Sequence, residues 1–303
     1  MHVDAYSALD ALSEPDVQHL LSHVAFDRGL RHDSGQGELA LLTTGAPMTA
    51  TFVVRDGDNA CGYGQLGRRR DTWTFEYVVM PRFSDHIGVG TKLVNAARAH
   101  IDEAGGGEWL LWMSAPKPED DAVAASVGLT FNRELFQLRV PLPRPDAVKV
   151  TTRPFKVGED NEAWLDLNNR AFAWHPEQSN WTDADLDNRF AQPWFDADGF
   201  LVHEVDGKML GFCWTKRHDE YDPPLGEIYV IAKDTAAGEP GLGKQLTLAG
   251  LAYLASTGLT EGMLYVDATN TKALDMYLAM GFTVHHVDRN YVGAATPTNA
   301  PTP

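Results

Sequence analysis

The sequence predicts two tandem copies of one α/β (α+β) domain, each a sheet flanked by helices. First, a strand–glycine loop–helix unit occurs twice: TFEYVVMP leads to Gly88-Val89-Gly90 and TKLVNAARAHIDEAG, and GEIYVIAKD leads to Gly241-Leu242-Gly243 and KQLTLAGLAYLAS. Second, the interval from Gly90 to Gly128 equals that from Gly243 to Gly281. Both later glycines sit in a helix–Gly–apolar–Thr junction, Val127-Gly128-Leu129-Thr130 against Met280-Gly281-Phe282-Thr283. Third, a glutamate lies in or opens each strand before its loop, Glu76 and Glu227. Matched spacing with matched element order marks a duplicated unit, and 303 residues suit two domains of about 100–200 residues each.

The elements follow in order. Residues 4–31 read as helical, with Ser13-Glu14-Pro15 opening a helix that carries Val17, Leu20, Leu21 and Val24 on one face. GQGELALLTTG reads as a turn and a strand, and MTATFVVRDGDNACGYGQL as two strands joined at Asp56-Gly57. TWTFEYVVMP is a strand, TKLVNAARAHIDEAG a helix, EWLLWMSAP a buried strand, DDAVAASVGL a helix and TFNRELFQLRVPL a terminal strand. These place the first domain at residues 1–143, and the proline-rich PLPRPDAVKV makes residues 144–152 a linker. The second domain, residues 153–292, repeats the order: helices in VGEDNEAWLDLNNRAFAWHPEQ and WTDADLDNRFAQPWF, and a hairpin on Asp206-Gly207. Then come GEIYVIAKD, the helix after Gly241, GMLYVDAT, NTKALDMYLAM and GFTVHHVDRNYV. The Pro/Thr-rich residues 293–303 read as a disordered tail.

Composition narrows the class. A formal charge of -17 argues against nucleic acid or an anionic membrane as partner, since both need basic surface. The N-terminus lacks a basic, apolar leader, and no apolar run approaches a membrane span. Two distant cysteines, Cys61 and Cys213, indicate neither a zinc site nor a disulfide scaffold. The expectation is a cytoplasmic monomer acting on a small molecule. None of the eleven histidines has metal-ligand spacing: His285 and His286 are adjacent in a strand and face opposite ways, and His175 reads as structural. No metal is expected.

The chemistry centres on residues 226–244. A glycine loop between a strand and a helix N-terminus is an anion site, because the first N–H groups of the helix lack partners and the dipole adds positive charge. The loop lacks the third glycine of a dinucleotide fold and the Gly-Lys-Ser/Thr of a P-loop. It resembles the acetyl-coenzyme A loop of the GNAT acetyltransferases, Gln/Arg-x-x-Gly-x-Gly/Ala, with Gly238 where Gln or Arg is usual and Glu239 bringing an unfavourable charge. The resemblance implies a mixed, mostly antiparallel sheet in each domain and acetyl-CoA as co-substrate. Acetyl transfer to an amine needs a base, an oxyanion site and an acid for the leaving thiolate. Glu227 is the candidate base and Tyr277, on the helix before Gly281, the candidate acid; each also has a structural reading, as a strand-edge carboxylate and a core tyrosine. Asn270 is either a ligand of the pantetheine amides or a helix N-cap. The first copy has neither the Asn nor the Tyr, offering MSAPKPEDDAVAASVGL instead. Catalysis is therefore expected in the second copy, and the first is either a passive acetyl-CoA site or a scaffold.

The segments AFAWHPEQSNWT, GFCWTKRH, GEIYVIAKDTAAGEPGLGKQLTLAGL, LYVDATNTKALDMYLAMGF and VDRNYV together resemble one tandem GNAT family, mycothiol synthase. That family acetylates the cysteinyl amine of cysteinyl-glucosaminyl-inositol, the last step of mycothiol synthesis. The resemblance implies substrate contacts at Asp27, Glu177, Lys216, Glu227 and Tyr265. It implies acetyl-CoA contacts at Ile231-Ala232-Lys233, at Gly238-Glu239-Pro240-Gly241-Leu242-Gly243-Lys244, and at Asn270-Thr271-Lys272-Ala273-Leu274-Asp275. In the first copy these fall on Tyr77-Val78-Val79 and His86-Ile87-Gly88-Val89-Gly90-Thr91. Asp85 and His86 precede the first G-x-G, where no Arg is present. The competing readings are a tandem GNAT enzyme for another small amine and a non-catalytic acyl-CoA sensor, which has no need of Glu227 and Tyr277.

Overall fold

A computed structural model of the chain describes residues 1–7, 10–27, 48–69, 71–81, 83–116, 120–173 and 180–296. In chain order the elements are β1 (His2–Ser7), α1 (Pro15–Asp27), β2 (Met48–Asp56), β3 (Asn59–Arg69), β4 (Thr72–Val79), α2 (His86–Glu103), β5 (Gly107–Ser114), α3 (Asp120–Ser126) and β6 (Thr130–Pro141). They continue with β7 (Arg153–Pro154), α4 (Asn161–Ala171), α5 (Asp183–Phe190), β8 (Phe200–Val205), β9 (Lys208–His218), β10 (Leu225–Lys233), α6 (Leu242–Ser256), β11 (Glu261–Asp267), α7 (Thr271–Ala279) and β12 (Thr283–Ala295). The chain forms two units. Unit 1 takes Met1–Phe136, Asp267–Thr269 and His286–Pro303; unit 2 takes Gln137–Val266 and Asn270–His285.

The strands of unit 1 lie in the order β1-β2-β3-β4-β5-β12-β6. Pairing is antiparallel from β1 to β4, parallel between β4 and β5, and antiparallel between β5 and β12. The core places Phe52, Phe75 and Trp109 of the sheet against Val89, Leu93, Val94, Ala97 and Ile101 of α2. On α1, the predicted stripe Val17, Leu20, Leu21 and Val24 is buried against Val53, Tyr63 and Val78. Residues 4–7, which the sequence assigns to a helix, instead belong to an edge strand, β1, paired to β2 from His2↔Arg55 to Ser7↔Ala50. The side chains that decide this are polar: Arg55 of β2 binds Asp4, Tyr6 and Asp16 together, a link that apolar periodicity does not register. The strand expected in GQGELALLTTG lies outside the described residues.

In unit 2 the order is β6-β11-β10-β9-β8-β7, antiparallel through β7, β8, β9 and β10 and parallel between β10 and β11. One face carries an aromatic core in which Phe155, Phe200 and Trp214 stack at centroid distances of 4.1 and 4.3 Å, with Trp164 of α4 edge-on to Trp214 at 5.9 Å. The other face takes α6. A Cβ on Gly250 would lie 2.5 Å from Cys213 Sγ and 2.6 Å from Ile228 Cδ1, so the glycine is what lets helix and sheet come this close. The linker residues are fixed to unit 2: Arg144 donates to the Met280 carbonyl at 2.8 Å, and the Lys149 amide to Gln245 Oε1 at 2.7 Å.

The final strand belongs to the first unit. β12 pairs with β5 from Asp288↔Ser114 to Ala295↔Gly107, and Tyr291 and Ala295 enter the core of unit 1. It therefore runs to Ala295, into the stretch that composition assigns to a disordered tail; residues 297–303 lie outside the described residues. Strand β6 in turn supplies unit 2 from Gln137 onward. Among the described residues, no helix is long and apolar enough to cross a membrane.

Candidate active site

The site is built on a parallel pair that separates. β10 and β11 pair at Gly226↔Gly262, Glu227↔Met263 and Ile228↔Leu264. Beyond this point β10 runs to Lys233 and β11 to Asp267 without further partners on each other. On its other side β10 stays bonded to β9 as far as Lys233↔Gly211, with a register shift between Ile228 and Val230 that makes Tyr229 a bulge. Past Ile228, β11 no longer pairs with β10, which leaves room for a ligand to lie against the β10 backbone at residues 231–233. Ile231, Ala232 and Lys233 are half-buried.

Alternation along the strands sorts the chemistry onto two faces. Phe212 and Trp214 enter the aromatic core, so Lys216 and His218 of the same strand share that face. Glu227 is opposite Lys216, and Leu225 opposite His218, which puts the Glu227 side chain there too. Cys213, Thr215 and Ile228 point at α6 on the other face.

Glu227 is buried, and a carboxylate in such a place must be paired. His218 Nε2 lies 2.7 Å from Glu227 Oε2, and His218 Nδ1 lies 2.6 Å from Glu220 Oε1. Burial pushes the Glu227 carboxyl up, but the hydrogen bond and charge of His218, with the charge of Lys216, outweigh it and hold the group below the ordinary range. Burial opposes the His218 charge, yet its two carboxylate partners raise it overall. Lys216 Nζ stands 5.1 Å from the Trp194 ring centroid and 5.9 Å from that of Tyr229, and Arg189 Nε donates to the Tyr229 hydroxyl at 2.9 Å. Tyr265, half-buried on β11, accepts a 2.7 Å bond from Gln137 Nε2.

Tyr277 of α7 lies on the α6 side. It is buried, its ring 5.6 Å from that of Phe282. Burial and the neighbouring Cys213 raise its hydroxyl well above the ordinary tyrosine value, with Thr247 acting slightly the other way. The group keeps its proton at neutral pH.

The loop before α6 is shaped as an anion site. Gly241 is the N-cap at φ +78, and no side chain caps it, so the first-turn amides at Leu242, Gly243 and Lys244 are presented without an internal acceptor. Gly238 is also left-handed, at φ +66. The Glu239 carboxylate, the wrong charge for a phosphate, lies 3.3 Å from His203 Nε2, while its carbonyl accepts from Lys233 Nζ at 3.4 Å. Pro240 is exposed. Asn270 is the N-cap of α7, its Oδ1 accepting from the Ala273 amide at 3.3 Å. Thr271, Lys272, Ala273, Leu274 and Asp275 follow in the first turns, exposed or half-buried.

Unit 1 repeats the separation: β4 and β5 pair as far as Glu76↔Trp112, leaving Tyr77, Val78 and Val79 beyond, all buried. The helix end differs. Asp85 Oδ1 caps α2 by accepting from the Gly88 amide at 3.0 Å. His86, Ile87, Gly88, Val89, Gly90 and Thr91 thus begin a helix whose positive end already holds a carboxylate, and His86 Nε2 lies 3.5 Å from Asp120. Asp27 is an exposed residue at the end of α1 in unit 1. Glu177 and the rest of HPEQ lie outside the described residues. The structure therefore joins Lys216 and Glu227 on one face, sets Tyr277 on the other, and adds His218, Glu220, Trp194 and Tyr229, which the sequence reading did not single out. Only the alternation of Lys216 with His218 signalled any of these. Among the described residues no cluster of His, Cys, Asp or Glu is arranged to hold a metal ion.

The Acetyltransferase (GNAT) family matches residues 161–282. The chain is 42% identical over 262 residues to a mycothiol acetyltransferase of Thermobispora bispora, covering 84% of this chain and 87% of that protein. It is 40% identical to a mycothiol acetyltransferase of Rhodococcus erythropolis over 95% of this chain and 98% of that one. In fold it resembles a GCN5-related N-acetyltransferase from Sphaerobacter thermophilus, with TM-score 0.74, 20% identity, and coverage of 97% and 96% of the two chains. A tandem GNAT protein from the clavulanic acid biosynthesis pathway aligns with TM-score 0.68 at 16% identity, over 98% and 100%.

Proposed function

The chain belongs to the mycothiol acetyltransferase family of GNAT enzymes, and on that premise we propose that its second unit moves acetyl from acetyl-CoA to the cysteinyl amine of cysteinyl-glucosaminyl-inositol. The observation that carries the chemistry is the opening between β10 and β11, with Glu227 on one face and Tyr277 on the other. Acetyl-CoA enters from the α6–α7 side. Its pyrophosphate takes the uncapped amides of α6, and its pantetheine arm lies along Ile231, Ala232 and Lys233 of β10, near Asn270 and the start of α7. The amine enters from the α4–α5 side.

Glu227 accepts a proton from the incoming ammonium, directly or through one water. The neutral nitrogen attacks the thioester carbonyl carbon and forms the C–N bond. A backbone N–H of β10 at residues 231–233 holds the resulting oxyanion. Collapse breaks the C–S bond, the thiolate takes the hydroxyl proton of Tyr277, and the nitrogen gives up its second proton to solvent water, from which Tyr277 is reprotonated. Lys216, Tyr265 and Glu177 contribute polar contacts to the sugar, inositol or ammonium, and Asp27 is a further candidate contact. The first unit is assigned a supporting role, since Asp85 already occupies the helix end and MSAPKPED stands where Asn270 and Tyr277 would be.

The test is acetyl-CoA consumption with cysteinyl-glucosaminyl-inositol, beside Glu227→Gln and Tyr277→Phe. We expect turnover with the sugar conjugate, little with peptide amines, and a loss of about 10²–10⁴-fold in each variant. Undiminished turnover in Glu227→Gln would discard the base assignment.

A further inference from the structure

The buried histidine beside Glu227 has no part in the steps above, yet both its ring nitrogens are committed. Neutral imidazole has one donor and one acceptor nitrogen. Here each nitrogen meets a carboxyl oxygen, at 2.7 Å on Glu227 and 2.6 Å on Glu220, and the two-donor imidazolium is the form that satisfies two ionised carboxylates at once. The chain Glu220–His218–Glu227 is then a line of alternating charge, and Lys216 beside Glu227 brings its sum to zero. Other charged or titratable groups face it from the packed elements. Tyr221, after β9, sets its ring edge-on to His218 at 5.9 Å. From β6, Arg139 lies 5.7 Å from the Tyr221 ring centroid and 3.3 Å from Glu261 of β11. Tyr265 stands on β11, bonded to Gln137.

We propose that His218, anchored by Glu220, is a positioning residue that holds the Glu227 carboxylate in one orientation and in its ionised form. The proposal rests on Glu227 being the base. A buried carboxylate without a cationic partner takes up a proton, and a protonated Glu227 cannot accept one from the substrate. A carboxylate free to rotate also loses the alignment that proton transfer requires. The bond from Glu220 fixes the ring in turn, much as a second carboxylate orients a catalytic histidine.

The experiment compares pH profiles of kcat and kcat/KM for the wild type, His218→Gln, His218→Ala, Glu220→Gln and Glu227→Gln. Glutamine keeps a donor but not the charge. For His218→Gln we expect the acid limb to move up by about one pH unit or more, so that activity on the falling part of both limbs drops about tenfold further than in the wild type at the same pH. The alkaline plateau of kcat should stay within a few-fold. Glu220→Gln should shift the limb the same way by less, and His218→Ala should lower the plateau as well. Infrared difference spectra should show a protonated-carboxyl stretch in His218→Gln that the wild type lacks and that Glu227→Gln in the same background removes. Acid limbs superimposed on the wild type in both His218→Gln and Glu220→Gln, with no such band, overturn the proposal. If Glu227→Gln itself retains turnover, it is the base assignment that fails, and the infrared band then reports separately whether His218 keeps the carboxylate ionised.

Discussion

At the scale of single residues, the site is a problem of charge held away from water. Glu227 and Glu220 sit below their ordinary carboxyl value of 4.5, and His218 sits above its ordinary 6.5. Groups lowered by folding add stability above their unfolded value and lose it as pH falls through the folded one. A raised group adds stability below its unfolded value and loses it as pH climbs through the folded one. The three together therefore stabilise unit 2 most between about pH 4.5 and 6.5. Urea unfolding of the wild type against His218→Gln should show a stability difference that is largest in that window and shrinks on both sides. A difference that does not vary with pH would contradict the assigned charges. Glu227 was legible in the sequence because it opens a strand that feeds the glycine loop. Glu220 was not, because it lies on a turn outside any motif, and it reaches the histidine two residues earlier through the local fold of that turn. Asn270 presented two readings, and the cap is directly visible in the bond to the Ala273 amide.

At the scale of elements, the two copies share a separating strand pair and differ at one helix end. α6 offers a left-handed glycine with no cap, whereas α2 carries its own carboxylate. Titration calorimetry should accordingly report one acetyl-CoA per chain. An alanine at position 241 finds open space for its Cβ but must hold φ near +78, a strain of about 1–2 kcal/mol. Gly241→Ala should weaken acetyl-CoA binding by about five- to tenfold or more, with kcat less affected. A stoichiometry of two would mean that Asp85 yields its place. Sequence reading found the strands, loops and helices of both copies wherever an apolar period met a turn residue, as at Asp56-Gly57 and Asp206-Gly207. It missed β1, a short edge strand whose stability comes from Arg55 reaching Asp4, Tyr6 and Asp16. It also passed over the bulge at Tyr229, because a bulge is a relation between two strands and leaves no mark in either alone.

At the scale of the molecule, the two copies in sequence do not coincide with the two units of the structure. The pattern of β12 announces a strand and says nothing of its neighbour; the neighbour is β5. Tyr291 on β12 is 2% exposed and packs in the core of unit 1. Replacing it with alanine should cost about 3 kcal/mol or more. Hydrogen exchange should then accelerate in β4 and β5 before it does in β8 and β9. Equal loss of protection in both units would contradict the partition. The same exchange of strands has a meaning for biosynthesis. On the ribosome, chain order becomes time order. β5 ends at Ser114, while the strand that covers its edge begins at Thr283, so through most of translation the nascent first unit carries an uncovered strand edge, the kind that recruits wrong partners. The hairpins of β8, β9 and β10 join near neighbours and close as they emerge. The half that is made first is the one completed last, and a gene cut between the copies would leave its N-terminal product one strand short.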